Sequence, residues 1–295
     1  MKYGNRILGI SSAILSSATF GFAPFFTLGL LAAGLGPCEV LTYRWGIAAL
    51  FLTLVGFATG HSFKLRKGDL KVVLGLSVLR AATSFCLVIA YANIASGTAS
   101  TIHFIYPLAV AAAMILFFKE KCSPTILAAI VTSIVGASLL SINGAATPTG
   151  NTTLGMITAC LSVVCYGGYM IGVKNTRAAQ IDSTALTCYV MAFGAVFFIL
   201  GGWATGGVRL VTDGKTWIDI LGLAIPATAI SNIALVWGIK RIGPTLTSFF
   251  GAFEPLTAVV LGIAIFNEPF SLISGIGIAL IIVAVSIAAL KRPEK

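Results

Sequence analysis

Apolar residues in this chain come in runs of about twenty, apolar on every side, separated by short polar joints. The runs cover 7–32, 39–59, 70–92, 97–118, 124–142, 153–173, 183–205, 217–239, 244–266 and 270–290. A helix of about 20 residues spans the hydrocarbon of a bilayer. Transmembrane strands would appear instead as shorter segments of alternating polarity. In lipid, backbone N–H and C=O groups need partners within the segment, and a helix supplies them. The pattern therefore predicts an all-α integral membrane protein with ten transmembrane helices. Lys2 and Arg6 ahead of the first run resemble the start of a signal peptide. The run continues past residue 28, beyond the roughly 7–15 apolar residues of a signal's central region, so it reads as a retained first helix.

Composition agrees. Of 295 residues, 58% are hydrophobic and 9% charged, whereas a soluble domain carries about 25% charged residues. Such a chain cannot cover itself with a water-facing surface, and its joints leave no room for a separate soluble domain. The net charge of +10 does not indicate nucleic acid, because the bases are scattered in ones, twos and threes between apolar runs. With the N-terminus in the cytoplasm, 15 Lys and Arg fall on that side. Only Arg209 and Lys215 fall on the other, and Arg44 and Arg80 lie within helices. This asymmetry predicts a multi-pass protein of the cell membrane (plasma or inner membrane) with both termini cytoplasmic. The six cysteines form no CxxC pair and read as small core residues. No metal or cofactor motif is present.

The two halves repeat. Pro107 and Pro255 lie 148 residues apart, as do Glu120 and Glu268, Ser100 and Ser248, and Ser123 and Ser271. Leu8-Gly9 and Leu154-Gly155 lie 146 apart, as do Phe20-Gly21 and Tyr166-Gly167. Runs one to five thus repeat as runs six to ten, giving units 1–143 and 144–295. Five is odd, so the second unit enters the membrane from the opposite side. Such inverted repeats suit carriers that rock between two openings.

Two stretches are specific enough to suggest a family. From Ala95 the chain reads A-S-G-T-A-S-T-I-H-F-I-Y-P-L, then F-F-K-E-K; from Gly243 it reads G-P-T-L-T-S-F-F-G-A-F-E-P-L, then I-F-N-E-P. With the two fivefold units and Arg44 near the start of the second run, the sequence resembles the EamA-type ten-helix members of the drug/metabolite transporter superfamily. The resemblance implies that helices 1, 3, 4, 6, 8 and 9 line a central cavity. It also implies a substrate among amino acids, nucleotide sugars, phosphorylated sugars or drugs.

Several polar residues fall inside apolar runs. Glu254 lies near the middle of the ninth, where a charge costs a few kcal/mol on insertion scales and must face protein or water. It reads as a partner for a substrate amine or a proton, or as half of a buried pair with an arginine. Arg80, midway along the third run, offers a planar fork suited to a carboxylate, or pairs with Glu254. His103, Tyr106, Asn232, Tyr166 and Tyr169 are further candidates for lining a substrate site; each can instead join helices. Arg44, Pro107, Pro255, Glu120 and Glu268 read as structural. Arg44 would snorkel or brace its helix, the prolines would break helix hydrogen bonds, and the glutamates would meet the start of the following helix. Gly168 and Gly172 would permit a close helix crossing.

The expectation is a secondary carrier or exchanger exporting small polar metabolites, with amino acids first. Sugar-linked or phosphorylated metabolites, or drugs, are the alternative cargo. Partners would be the small-molecule substrate and the lipid bilayer, with a second copy of the chain as a potential homodimer partner. An integral-membrane enzyme is the rival class, but the chain has no HExxH, P-loop or GxSxG motif.

Overall fold

The computed structural model describes residues 3–121, 123–141, 150–257, 260 and 271–290. Among them the chain is helical between short joints, with no strand. The helices are α1 Tyr3–Phe20, α2 Ala23–Ala32, α3 Pro37–Ala58, α4 Asp69–Asn93, α5 Ser96–His103, α6 Tyr106–Phe118, α7 Pro124–Ser141, α8 Thr152–Asn175, α9 Ser183–Ala204, α10 Gly214–Ala224, α11 Ser231–Ile242, α12 Pro244–Phe249 and α13 Leu272–Leu290. Among the described residues seven continuous stretches are long and apolar enough to cross a bilayer: Gly4–Ala32, Pro37–Ala58, Asp69–Asn93, Thr98–Phe118, Thr152–Asn175, Ser183–Ala204 and Gly214–Ile242. Shorter apolar helices cover Pro124–Leu139 and Gly275–Ala284. The chain is a multi-pass membrane protein. Large apolar side chains such as Leu54, Phe57, Phe117 and Trp203 face outward, as lipid contact requires. Much of the ninth run, including Glu268, lies outside the described residues, as do both extreme termini.

Several runs are not single smooth helices, and prolines account for the breaks. A proline lacks the N–H that would close its helical turn and clashes with the carbonyl four residues back. The first run breaks at Gly21–Phe22 ahead of Pro24, and the fourth at Phe104–Ile105 ahead of Pro107. The ninth narrows to a 3₁₀ turn at Phe250–Ala252 ahead of Pro255. Pro226 sits in a π-turn, Ile225–Ile230, that joins α10 to α11. π-turns of this kind often occur where side chains are placed for function.

The helices pack in four principal pairs: α3 on α9, α4 on α8, α1 on α11 and α7 on α13. In order of the apolar runs these pairs are 2–7, 3–6, 1–8 and 5–10. Exchanging runs 1–5 with 6–10 maps this set onto itself. Close approach needs small residues. A methyl group at Gly194 would lie 2.1 Å from the Trp45 ring, where α9 crosses α3. Gly168 and Gly172 both face α4, against Leu79 and Leu76.

The joints between helices pair off in the same reciprocal way. Tyr43, near the start of α3, donates its hydroxyl to the Arg209 carbonyl beyond the end of α9, at 2.6 Å. Tyr189, near the start of α9, donates its hydroxyl to the Phe63 carbonyl beyond the end of α3, at 2.7 Å. Tyr43 and Tyr189 are 146 residues apart, and so are Phe63 and Arg209. Each bond is thus the other's counterpart under the sequence repeat. On the Phe63 side, His61 Nδ1 meets Asp182 Oδ2 at 3.0 Å, and Asp182 also caps α9 through the amides of Thr184 and Ala185. On the Arg209 side, Glu39 accepts from the amides of Gly36 and Arg209.

Candidate functional site

Two arginines and a glutamate are buried within apolar runs. Arg80 of α4 is 1% exposed, Arg44 of α3 is 4%, and Glu254, beside the break in the ninth run, is 8%. Burial of unpaired charge is expensive, so the contacts of each group are informative.

Arg80 is held by two hydrogen bonds and three rings. Its Nε donates to Asn232 Oδ1 at 2.8 Å and its Nη1 to Ser84 Oγ at 3.4 Å. Its guanidinium carbon lies 5.1, 5.6 and 5.9 Å from the ring centroids of Tyr166, Phe20 and Tyr169, within cation–π range. Phe20 and Tyr166 are repeat counterparts, so Arg80 sits between equivalent rings of the two halves.

Arg44 does not reach the interface as a snorkelling side chain would. It points inward, and its Nε donates to Thr228 Oγ1 at 2.6 Å. Its Nη2 is buried without a hydrogen-bond partner. Glu254 has no hydrogen bond or ion pair among the described residues, and no arginine nitrogen lies within 4.0 Å of its carboxylate. The expected buried pair with an arginine is therefore not formed among the described residues.

His103, Tyr106 and Tyr166 stack into one aromatic cluster. His103 lies 5.2 Å from Tyr106 and 5.3 Å from Tyr166, and the two tyrosine rings meet edge-on at 4.6 Å. His103 Nδ1 bonds Ser162 Oγ at 2.8 Å, while its Nε2 and the Tyr169 hydroxyl are buried without partners. Tyr106 and Glu254 each precede the helix-breaking proline of their half, and are repeat counterparts. A methyl group on Gly251 would lie 1.8 Å from the Tyr106 hydroxyl oxygen, so the ninth run is cut to fit the fourth at this point.

All seven candidate substrate residues are thus brought into one connected region, together with Arg44. Glu120 lies elsewhere, at the end of α6. It accepts from the Thr245 hydroxyl at 2.9 Å rather than from the following helix, and so ties α6 to α12. Pro107 and Pro255 mark the two breaks, the latter half-buried.

Sequence reasoning missed Thr228, Ser84 and Ser162, which orient Arg44, Arg80 and His103. The signal for the first was Pro226 within an apolar run, followed by Thr228, Ser231 and Asn232. A proline there opens the helix, and nearby hydroxyl and amide groups take up the freed positions.

Buried acid and base side chains in a polar and aromatic centre, within helices that face lipid outside, belong to a polytopic membrane protein. The chain belongs to the EamA-like transporter family, whose pattern it matches twice, over residues 7–142 and 153–290. It is 25% identical over 248 residues to "Uncharacterized inner membrane transporter YicL" of Salmonella typhimurium, covering 81% of each chain. It is 26% identical over 302 residues to "Uncharacterized transporter YyaM" of Bacillus subtilis, covering 98% of this chain and 95% of that one. A further relative, "Uncharacterized transporter YetK" of Bacillus subtilis, is 22% identical over 257 residues, covering 85% and 78%. A crystal structure 18% identical in sequence superposes with a TM-score of 0.79 over 98% of both chains, a likeness of fold.

Proposed function

We propose that the protein is a secondary carrier or exchanger that exports small polar metabolites, first of all amino acids and related zwitterions. One observation carries the reading: an acid, Glu254, and a base, Arg44, are both buried, and among the described residues neither has an ion-pair partner. A substrate with an ammonium and a carboxylate would supply both missing partners at once. An α-amino acid is the smallest metabolite of that description. The tyrosines and His103 would give its side chain a stackable wall.

In the same proposal the chain forms ten transmembrane helices as two inverted five-helix units, 1–143 and 144–295, with both termini in the cytoplasm. Three features support the inverted pairing. They are the self-mapping set of helix pairs, the reciprocal bonds of Tyr43 and Tyr189, and the matched proline breaks at Tyr106-Pro107 and Glu254-Pro255. The two openings would then be near-equivalent, as alternating access requires.

The test is transport by purified protein in liposomes, with labelled amino acids, sugars and phosphate esters offered in parallel. Saturable amino-acid transport supports the reading. Transport of phosphate esters with none of amino acids would replace it with an anion carrier drawing on both arginines.

A further inference from the structure

We propose that Arg44, rather than Arg80, is the residue that grips the substrate's carboxylate, and that the π-turn Ile225–Ile230 exists to aim it. This rests on the zwitterion reading above and assigns its two ends.

The two arginines are both buried but differently occupied. Arg80 has hydrogen bonds at Nε and Nη1 and three aromatic rings around its guanidinium. Arg44 is less engaged, with one hydrogen bond and one ring. Arg44 has a single hydrogen bond, through Nε, and a buried Nη2 with none. An orphaned guanidinium nitrogen at 4% exposure is costly, and a bound carboxylate would remove the cost. Phe20 covers Arg44 on one side, 5.5 Å from its guanidinium carbon, which fixes the plane of the fork.

The π-turn explains how the two arginines come to differ. Thr228 donates its hydroxyl to the Leu223 carbonyl, five residues back, at 2.7 Å. That leaves its oxygen lone pair for Arg44 Nε. Asn232 donates its amide to the Thr228 carbonyl at 2.7 Å, which orients its own carbonyl oxygen toward Arg80 Nε. A continuous chain therefore runs Arg80–Asn232–Thr228–Arg44 through one irregular turn. In a regular helix the Thr228 hydroxyl would bond four residues back, in a different direction. Thr228 and Asn232 are positioning residues; Arg44 is the anion ligand.

The experiment measures ligand-induced thermal stabilisation of the purified full-length protein. Probes are alanine and phenylalanine, their carboxamides, and the amine-free carboxylate propionate. One charge-assisted hydrogen bond is worth roughly 10- to 100-fold in affinity. The carboxamides should bind weaker by that factor. Arg44→Lys, which keeps the charge and loses the fork, should weaken the amino acids by a similar factor while leaving their carboxamides unaffected. Thr228→Val should raise the transport KM with little change in maximal rate, and Thr228→Ser should restore it. Independently of any ligand, Arg44→Gln should melt at or above the parent temperature, since it removes a buried cation without an ionic partner.

Undiminished amino-acid binding by Arg44→Lys, with loss in Arg80→Lys, overturns the assignment and leaves the zwitterion reading standing. Propionate binding as tight as alanine, and dependent on Arg44, keeps the assignment and overturns the zwitterion reading. A parent protein stabilised by no carboxylate overturns both. A sharp fall in the melting temperature of Arg44→Gln overturns the assignment alone, because it would mark Arg44 as a structural post.

Discussion

The reciprocal tyrosine bonds make a prediction about conformational balance. Tyr43 ties α3 to the segment after α9, and Tyr189 ties α9 to the segment after α3, with bonds of 2.6 and 2.7 Å. In the proposed topology they lie on opposite faces of the membrane. Each would hold its own side shut, and a state with both formed is closed at both ends. Tyr43→Phe removes the hydroxyl that donates to Arg209 and also accepts from the Val211 amide at 3.2 Å, while keeping the ring and its edge contact with Trp217. An intramolecular hydrogen bond contributes about 1 kcal/mol net, and 1.4 kcal/mol is a factor of ten. Losing both bonds should shift the population toward the outward-open form roughly fivefold or more. Tyr189→Phe, which removes one bond, should shift it toward the inward-open form roughly fivefold, and the double variant should lie between the two single variants. The assay is the labelling rate of a cysteine at Ser84→Cys, in a chain with the six native cysteines replaced, by a membrane-impermeant maleimide applied from either side. Two single variants that shift the ratio in the same direction would refute the reasoning, because the bonds would then not be counterparts on opposite faces.

Other predictions concern charge and packing. Glu254→Gln should fold with a melting temperature close to the parent, since the carboxylate has no ionic partner to strand, and should lose transport; a sharp loss of stability would reveal a pairing absent from the closed form. Gly194→Ala should destabilise by about 1–3 kcal/mol, because its methyl would lie 2.1 Å from the Trp45 ring; a melting temperature equal to the parent would mean that α3 and α9 part easily. Burial raises the Asp182 carboxyl, and bonds from His61, the Ala185 amide and the Thr184 amide lower it by more, leaving it below its ordinary value. Its cap and its hydrogen bond with His61 should therefore stabilise at neutral pH and fade only as pH falls through that lowered value. Asp182→Asn should lose the dependence, which melting curves across acid pH would report.

The spanning elements were legible in the sequence because lipid imposes one rule on every residue of a run. The charged residues within those runs were legible for the same reason: a charge such as Glu254 or Arg80 has no bland place in hydrocarbon. What the sequence did not yield was partner choice. Arg44 sits close enough to the end of its run to snorkel, and only the π-turn, which brings Thr228 within 2.6 Å, turns it inward. A proline announces a break but not its form: Pro107 follows a two-residue turn, Pro255 a 3₁₀ turn, and Pro226 lies in a π-turn. The tyrosine bonds were hidden for a different reason. Both end on backbone carbonyls, of Arg209 and Phe63, and carbonyl acceptors leave no mark on residue identity. The spacing of 146 between Tyr43 and Tyr189 was the available signal, and it becomes specific only once the bonds are seen.

The central claim is that opposite buried charges without ionic partners form the binding site of an amino-acid carrier. Counterflow in liposomes tests it most directly. Protein is reconstituted with unlabelled amino acid inside, and entry of the labelled compound is followed for the parent and for Glu254→Gln. The account predicts saturable, trans-stimulated entry of at least one amino acid by the parent, and none by a Glu254→Gln protein of normal stability. Entry by Glu254→Gln equal to the parent, or no counterflow of any amino acid by a parent that does exchange another solute, would contradict it.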